Sequence, residues 1–315
     1  MARYVIKRLL MMILIMLAAA VVVFTIMYLV PGDPARLLLG PDAGEAAFQA
    51  KRESLGLNRP FLVQLGDFLY NAFLKLDFGI SWRYGTRVVE EMAVHLPRTL
   101  IIGICAMILN VVVGTLLGIF AATHQGKWQD SATMAISMVF VSCPDFWVAL
   151  MFVLLFSSYL GWLPAYGIDS WQCYVLPIIC SALGGIAVNS RQARSAMLET
   201  IRADFVTTAR AKGQKEKVIV RKHMLPNAMM PIITGVGGGL AATVAGSPVM
   251  ETVFSIPGIG QYMLVGIDAR DRPIVCGCVV FFALFTSIAM LITDLAYAFL
   301  DPRIKARYSR RKQVK

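Results

Sequence analysis

The run LLMMILIMLAAAVVVFTIMYLV, residues 9–30, decides the fold class of this chain. A helix needs about 20 apolar residues to cross the hydrocarbon core of a bilayer, and this run is long enough. Five more apolar runs follow it, so the sequence predicts an all-α polytopic membrane protein with six transmembrane helices. The predicted spans are residues 9–30, 100–122, 132–160, 174–190, 229–250 and 274–300.

The composition agrees with a membrane protein. Hydrophobic residues make up 57% of the chain and charged residues 16%, whereas soluble domains average about 45–50% and about 25%. The first run follows Arg3, Lys7 and Arg8, but it is longer than the apolar region of a signal peptide and no small-residue cleavage pattern follows it. We therefore interpret this run as a retained span.

The basic residues are unevenly distributed along the chain. With both termini in the cytoplasm, the cytoplasmic segments 1–8, 123–131, 191–228 and 301–315 hold 20 of the 30 lysines and arginines. This asymmetry matches the positive-inside rule and predicts that orientation. It also accounts for the net charge of +11 without nucleic acid as a partner.

The predicted spans divide the chain into four parts. Residues 1–30 form the cytoplasmic N-terminus and the first span, and residues 31–99 form a large extracytoplasmic segment in which apolar spacing predicts a helix near 61–73. Residues 100–300 form a five-helix core, with a cytoplasmic loop at 191–228 between the fourth and fifth spans. Residues 301–315 form a basic cytoplasmic tail that meets lipid phosphate.

Two features of the spans predict their geometry. Gly114 and Gly118 in the second span are four residues apart, and this small-xxx-small spacing permits close helix approach. Pro144 in the third span removes a backbone donor and predicts a kink.

Three polar residues in the spans are candidates for a translocation pathway, namely Asp145, Asn110 and Thr243. A carboxylate inside a membrane faces protein or water rather than lipid. Asp145 is therefore either a pathway residue that attracts an amine or metal cation, or a structural group that satisfies backbone freed by the neighbouring kink. Hydrogen bonding between helices explains Asn110 and Thr243 equally well.

The chain lacks the motifs of several other functions. Its six cysteines lie in or beside apolar runs and its three histidines lie in separate segments, so we expect no metal site. The pair Gly126-Lys127 lacks the upstream glycine and the hydroxyl residue of a P-loop. We therefore expect no cofactor in this chain and no enzymatic activity of its own.

A basic segment, DFVTTARAKGQKEKVIVRKHMLP at residues 204–226, lies in the predicted cytoplasmic loop. Asp204 is a favourable N-cap for a short helix, and Gly213 is expected to end that helix in the left-handed conformation. A second helix then runs to Pro226, which either terminates it or leads into the fifth span. This helix–glycine–helix elbow either rests on anionic lipid or serves as a rigid handle for a cytoplasmic partner.

The elbow resembles the EAA loop of the permease subunits of ABC importers, written E-A-A-x3-G-x9-I-x-L-P. The second alanine, the glycine and the Leu-Pro pair match at the required spacing, whereas Thr207 replaces the glutamate and His223 the isoleucine. The resemblance implies an ATPase-coupling surface on which Arg210 and Lys212 take the place of the absent glutamate. The implied coupling residues are Asp204, Thr207, Thr208, Ala209, Arg210, Lys212, Gly213, Leu225 and Pro226.

Other segments extend the resemblance, over nearly the whole chain, to the dipeptide, oligopeptide and nickel branch of that family. They are RLL (8–10), PGDP (31–34), LGLNRP (55–60), DFGIS (77–81), GWLPAYG (161–167), SIPGIGQ (255–261), RDRP (270–273) and DPRI (301–304). The chain departs from the branch at Ile256, where an aromatic residue is common, and at Arg272, where tyrosine is common. Candidates for an outer gate or a receptor contact are Phe254, Pro257, Gly258 and Gly260.

The resemblance implies an importer of the bacterial inner membrane. This chain is then one permease subunit, joined by a second homologous permease, two subunits that bind ATP and Mg, and an extracytoplasmic substrate-binding protein. The expected cargo is a short peptide or a glutathione-like molecule, and nickel or a metal chelate is the alternative within the same branch. A stand-alone secondary transporter is a remote alternative, because the sequence has no visible inverted repeat and a single mid-membrane carboxylate.

Overall fold

The computed structural model describes residues 2–40, 42–229 and 248–300. Within these ranges the ordered elements are helices, apart from one isolated antiparallel bridge between Ile80 and Arg87. The helices are α1 (Ala2–Leu29), α2 (Pro34–Leu39), α3 (Glu45–Ser54), α4 (Phe61–Leu74), α5 (Val88–Thr123), α6 (Trp128–Ser142), α7 (Asp145–Phe152), α8 (Val175–Ile201), α9 (Asp204–Ala211), α10 (Glu216–Val218), α11 (Pro248–Val253), α12 (Ile259–Asp268) and α13 (Arg272–Leu300). Shorter π-helical and 3-10 segments are Val153–Tyr159, Trp171–Tyr174 and Ile219–Met224.

The backbone forms two compact units. The first consists of the described residues within 2–100 and 256–287, and the second of the described residues within 101–255 and 288–300. Both α5 and α13 contribute residues to each unit.

In the first unit, α4 packs its aromatic face against α1. Phe68 stacks on Phe24 with ring centroids 5.3 Å apart, and Phe61 lies 6.0 Å from the same ring. Cys276 of α13 belongs to the same apolar cluster. The helix predicted near residues 61–73 is therefore confirmed, and its regular apolar spacing is explained by this contact.

In the second unit, α6 and α7 pack against α8, which also lies very close to α5. A Cβ atom on Gly118 would sit 2.5 Å from the Cβ of Ala193, and one on Gly114 would sit 2.9 Å from the Cβ of Asn189. The close approach predicted from the two glycines is confirmed. Any larger residue at these positions forces α5 and α8 apart.

Among the residues that the structure describes, four helices are long and apolar enough to cross a membrane, and a fifth candidate span consists of two helices. The four are Ile6–Leu29, Val88–Thr123, Trp171–Ile201 and Arg272–Thr293, and the pair is Trp128–Ser142 with Asp145–Tyr159, bent by 104°. The kink predicted at Pro144 is therefore confirmed. The predicted span at 229–250 lies mostly outside the described residues, so the count of six spans stays a prediction.

Two helices extend beyond their predicted spans. α5 begins at Val88 rather than near residue 100, and α8 continues to Ile201 rather than ending near residue 190. The fourth apolar run ends just before the charged residue Arg191. The helix α8 nevertheless continues, because Ala193 and Met197 on one of its faces are fully buried. These two predicted boundaries were wrong because an amphipathic helix ends where its packing ends, and not where its apolar run ends.

Candidate functional site

The elbow at residues 204–226 turns at a glycine in the left-handed conformation. Gly213 follows α9 with φ of +71°. Its N–H donates to the Arg210 carbonyl at 2.9 Å, and the Gln214 N–H donates to the Ala209 carbonyl at 3.3 Å. These bonds satisfy carbonyl groups at the end of α9 and confirm the predicted helix end. A Cβ on Gly213 would meet no atom within 4 Å, so the glycine serves the backbone conformation rather than close packing.

One face of the elbow is buried against the long helices of the second unit. Val206 and Ala209 of α9 lie in one apolar cluster with Ile219 and Met224 of the second arm. Fully burying a side chain of this size stabilises a protein by about 1.5–3 kcal/mol, so the elbow is firmly attached. From α5 and α8 the cluster takes Ala122, Ala193, Ala196 and Met197.

The residues implied as an ATPase-coupling surface divide into two groups. The exposed group consists of Asp204, Thr207, Thr208, Arg210, Lys212, Gly213 and Pro226. Ala209 is buried, and Leu225 is half-buried against the same apolar cluster. The first group is available to a partner, whereas the second holds the elbow to its own unit.

An ion pair that the sequence analysis missed joins the two arms of the elbow. Arg210 Nη2 lies 2.6 Å from Glu216 Oε1, across the turn at Gly213. The hydrogen bond and charge of Arg210 hold the pKa of Glu216 below its ordinary value. The sequence signal for this ion pair was Glu216, an acidic residue six positions after Arg210 and beyond the glycine that ends α9.

Two predictions for the ends of the elbow helices have clear outcomes. Asp204 is not the N-cap of α9, because Ala203 holds that position with extended backbone and Asp204 is already helical. Its carboxylate remains in the first turn, where the helix dipole favours a negative charge. Helical conformation continues through Pro226 to residue 229, so this proline does not terminate the second arm.

Two of the three pathway candidates lie beside adjacent glycines of α8. A Cβ on Gly184 would sit 3.3 Å from Asp145 Oδ1, and one on Gly185 would sit 2.8 Å from Asn110 Cγ. Asp145 is exposed in the first turn of α7, and Asn110 is half-buried on α5. The structure therefore brings both polar groups to one level of α8. Thr243, the third candidate, lies outside the described residues.

A polar contact joins α5 to α8 at Asn110, where hydrogen bonding between helices was the alternative to a pathway role, although the donor, Asn189, was not named as a candidate. Asn189 Nδ2 donates to the Asn110 carbonyl at 3.2 Å and to Thr115 Oγ1 at 3.3 Å. The side-chain oxygens of both asparagines are buried with no hydrogen-bond partner among the described residues. An unpaired buried acceptor costs about 1–3 kcal/mol, so this contact favours a water molecule or a polar ligand beside it. An asparagine inside a predicted span was the signal for it.

A second polar contact holds α6 to α8. Arg194 Nη2 donates to Asp130 Oδ2 at 2.7 Å, and the same carboxylate accepts from the Gly126 N–H at 3.2 Å. The Ser137 and Ser190 hydroxyls are 2.9 Å apart along the same pair of helices. Asp130 is buried, so loss of either partner would leave an uncompensated charge between α6 and α8.

The outer-gate candidates are largely buried within their own units. Phe254 is fully buried in the second unit, where its carbonyl accepts from the Gly167 N–H at 3.4 Å. In the first unit, the Pro257 carbonyl accepts from His95 Nδ1 at 2.8 Å and from Arg98 Nη1 at 3.1 Å. Gly258 is the N-cap of α12, and Gly260 is buried in its first turn.

Among the described residues, no group of three His, Cys, Asp or Glu side chains is placed to hold a metal ion. The arrangement that remains is an anchored elbow with an exposed polar face, and a polar level on α8 beside Asp145.

The chain matches known families and proteins over nearly its whole length. The model described as "Binding-protein-dependent transport system inner membrane component" matches residues 114–306, and the N-terminal model of the same kind matches residues 1–103. The glutathione transport system permease protein GsiC of Escherichia coli strain K12 is 36% identical over 305 residues, which cover 97% of this chain and 99% of that protein. GsiC of Salmonella choleraesuis strain SC-B67 is 38% identical over the same length.

Among solved structures, the chain resembles an inward-facing conformation of the MetNI methionine ABC transporter. The TM-score to its native crystal form is 0.57 at 18% identity, over 68% of this chain and 97% of that one. The form soaked with selenomethionine has the same TM-score at 20% identity. At this level of identity the similarity shows the fold alone.

Proposed function

The chain belongs to the family of binding-protein-dependent transport system inner membrane components, and on that basis we propose that it is the permease subunit of an ATP-driven importer of short peptides. Glutathione-like molecules are the favoured cargo, because GsiC proteins are related to this chain over nearly its whole length. Separate subunits bind ATP and Mg and hydrolyse the nucleotide. A second permease and an extracytoplasmic binding protein complete the importer.

The elbow carries the proposal. Its apolar face is attached to α5 and α8, so a force applied to the elbow moves those helices with it. Its exposed polar positions, including Thr207, Thr208 and Lys212, form the surface that an ATPase subunit contacts. Because Arg210 is already paired with Glu216, Lys212 is the stronger candidate for the polar contact that the missing glutamate would make.

The coupling role is tested by Gly213→Val in the complete complex reconstituted into proteoliposomes. A β-branched residue is strained at φ of +71°, so the turn should change shape and peptide uptake should fall while ATP hydrolysis continues. Gly126→Val is the matched control, since Gly126 has φ of +77° and open space around it but lies outside both the elbow and the segment 31–99. Normal uptake by an assembled Gly213→Val complex would contradict the proposal.

Asp145 and Asn110 are proposed to line the solute path, where the Asp145 carboxylate attracts the amino group of a peptide. Asp145→Asn keeps the size of the side chain and removes its charge. We expect a higher KM for peptide uptake, with a smaller change for a cargo whose amino group is acetylated. An unchanged KM for both cargoes would leave Asp145 with a structural role.

The cargo is identified by competition in the same proteoliposomes. Uptake of labelled glutathione should be inhibited by unlabelled glutathione and short peptides, and not by nickel ions. Inhibition by nickel alone would instead indicate the metal-importing alternative. Uptake without ATPase subunits would indicate a secondary transporter.

We propose that both termini and the elbow face the cytoplasm of a bacterial cell, and that the segment 31–99 faces the binding protein. The distribution of basic residues supports this orientation. Cysteine labelling of Gln214→Cys and Gly85→Cys, both exposed sites, tests it in intact cells and in inverted vesicles. Labelling of the Gln214→Cys variant from the outside would contradict the orientation.

A further inference from the structure

A cavity of about 390 Å³ in the first unit has an excess of positive charge in its lining. Arg52, Arg270 and Arg272 line it, and Asp33 is the one acidic residue among the residues that do so. Charged groups that are partly withdrawn from water are costly unless a counter-charge accompanies them. The lining therefore favours the entry of an anion.

Asp33 neutralises at most one of the three guanidinium groups. Arg52 Nη1 lies 3.6 Å from Asp33 Oδ2, near the long end of ion-pair range, and Arg52 Nε is buried without a hydrogen-bond partner among the described residues. Arg272 donates to the neutral side-chain oxygen of Gln64 at 2.9 Å. Within the described ranges, Arg270 has no acidic partner at ion-pair distance.

Two of the arginines are held in place before any ligand arrives. The Arg272 guanidinium lies 4.6 Å from the ring centre of Phe24 and 5.0 Å from that of Trp82. The Arg270 guanidinium lies against Gly32, where a Cβ atom would have no room. A positioned guanidinium loses little conformational entropy when it binds an oxyanion, and its planar fork matches two oxygens at once.

The cavity lies where two candidate spans leave the hydrocarbon. The span Ile6–Leu29 ends at its lining residues Tyr28 and Val30, and the span Arg272–Thr293 begins at its lining residue Arg272. This level corresponds to the headgroup layer of a bilayer, where Tyr and Trp side chains are also enriched. Next to it, Ile26 and Leu29 of α1 are 56% and 71% exposed and offer an apolar surface.

We propose that this cavity binds the phosphate headgroup of an anionic phospholipid, with Arg270 and Arg52 on the phosphate oxygens and the acyl chains along the exposed face of α1. Charge-assisted hydrogen bonds from arginine to phosphate are among the strongest in proteins. A free phosphate ion would use the same guanidinium groups but would leave the apolar face of α1 uncovered. The site does not depend on the proposed transport function.

The full-length chain, purified from membranes with the subunits that stay bound to it, provides the test. After lipid removal it is incubated with micelles of phosphatidylglycerol or of phosphatidylcholine with the same acyl chains, and retained lipid is counted by native mass spectrometry. Wild-type protein should retain phosphatidylglycerol in preference. Arg270→Gln should weaken that retention about tenfold, which is the effect of losing one charge-assisted contact. Phosphatidylcholine retention should change less, because the arginines of the lining repel its quaternary ammonium and hold its phosphate weakly from the start.

Arg59→Gln is the matched control, because Arg59 is exposed, paired with Asp67 and absent from the cavity lining. Arg270→Lys keeps the charge but lacks the planar guanidinium, so its retention of phosphatidylglycerol should lie between those of wild-type protein and Arg270→Gln. If Arg270→Gln does not fold, Arg52→Gln replaces it in the same measurement. Equal retention of the two lipids by wild-type protein would overturn the proposal. So would equal loss in Arg59→Gln, or displacement of phosphatidylglycerol by inorganic phosphate at equal concentration.

Discussion

Ser81 Oγ donates a 2.7 Å hydrogen bond to the carboxylate of Asp271, although 190 residues separate the two along the chain. The same carboxylate oxygen accepts from the Arg83 N–H at 2.9 Å, and the other accepts from the Ile274 N–H at 3.3 Å, in the first turn of α13. Asp271 is thus both the N-terminal cap of a long helix and the point at which the DFGIS and RDRP segments meet. It is buried, so no water replaces these bonds.

We predict that Asp271→Ala destabilises the first unit by about 2–4 kcal/mol, because three donors lose their acceptor and a helix loses its cap. The change should appear as a lower melting temperature of the detergent-purified protein. Asp67→Ala is the control, since its ion pair with Arg59 is exposed and worth about 0–1 kcal/mol. Equal effects of the two substitutions would contradict a special role for Asp271.

Two glycine-to-alanine substitutions, one at the crossing of α5 and α8 and one in α4, should change the stability of the protein in opposite directions. Gly118→Ala should destabilise the protein by about 1–3 kcal/mol, because its Cβ would collide with Ala193 and the Ser190 carbonyl. Gly66→Ala, in the middle of α4 with nothing within 4 Å, should stabilise it by about 0.5–1 kcal/mol. Melting temperatures of the two variants distinguish crowding from helix propensity, and a stabilising Gly118→Ala would refute the close crossing.

The buried ion pair of Asp130 and Arg194 predicts a large loss when one partner is removed. Arg194→Ala should cost about 3–5 kcal/mol, since Asp130 is 4% exposed and would be left as an unpaired charge. Arg191→Ala, on an exposed position of the same helix, should change stability by less than about 0.5 kcal/mol. The double variant Asp130→Asn with Arg194→Ala should recover part of the loss, and failure to recover any of it would argue against the pair.

The ion pair of Arg210 and Glu216 predicts a pH dependence of the elbow. Because the pKa of Glu216 is lowered in the folded protein, its contribution is fully present above the ordinary glutamate pKa of about 4.3 and is lost as the pH falls through the lower folded value. Both side chains are about half exposed, so the contribution is at most about 1 kcal/mol.

Amide hydrogen exchange at residues 209–216 checks this expectation, with protection factors, taken relative to the intrinsic exchange rate at each pH, that fall as the carboxylate becomes protonated. Arg210→Gln should return the Glu216 pKa towards its ordinary value, and Glu216→Gln should make the protection factors independent of pH in this window. A Glu216 titration that is the same with and without Arg210 would show that the pair does not form in solution.

The elbow illustrates how far local sequence can predict a site. The left-handed turn at Gly213 follows from chain geometry, so sequence was sufficient for it. The burial of Ala209 and the pairing of Arg210 were not predicted, because they depend on which face of α9 meets α8 and on where the second arm returns. Asp204 was predicted as the N-cap of α9, but it is the first helical residue and Ala203 is the N-cap. Assignments of helix ends commonly differ by one or two residues.

The sequence by itself determined that this chain is helical and membrane-spanning, that its third span bends at Pro144, and that its second span approaches another helix at Gly114 and Gly118. These are properties of hydropathy, proline and glycine, which act on neighbouring residues whatever the rest of the chain does. Only the tertiary structure decided that Ser81 meets Asp271, that Arg194 meets Asp130, and that three arginines surround one cavity. Such contacts join residues far apart along the chain, and their partners are selected by the packing of whole helices rather than by local preference.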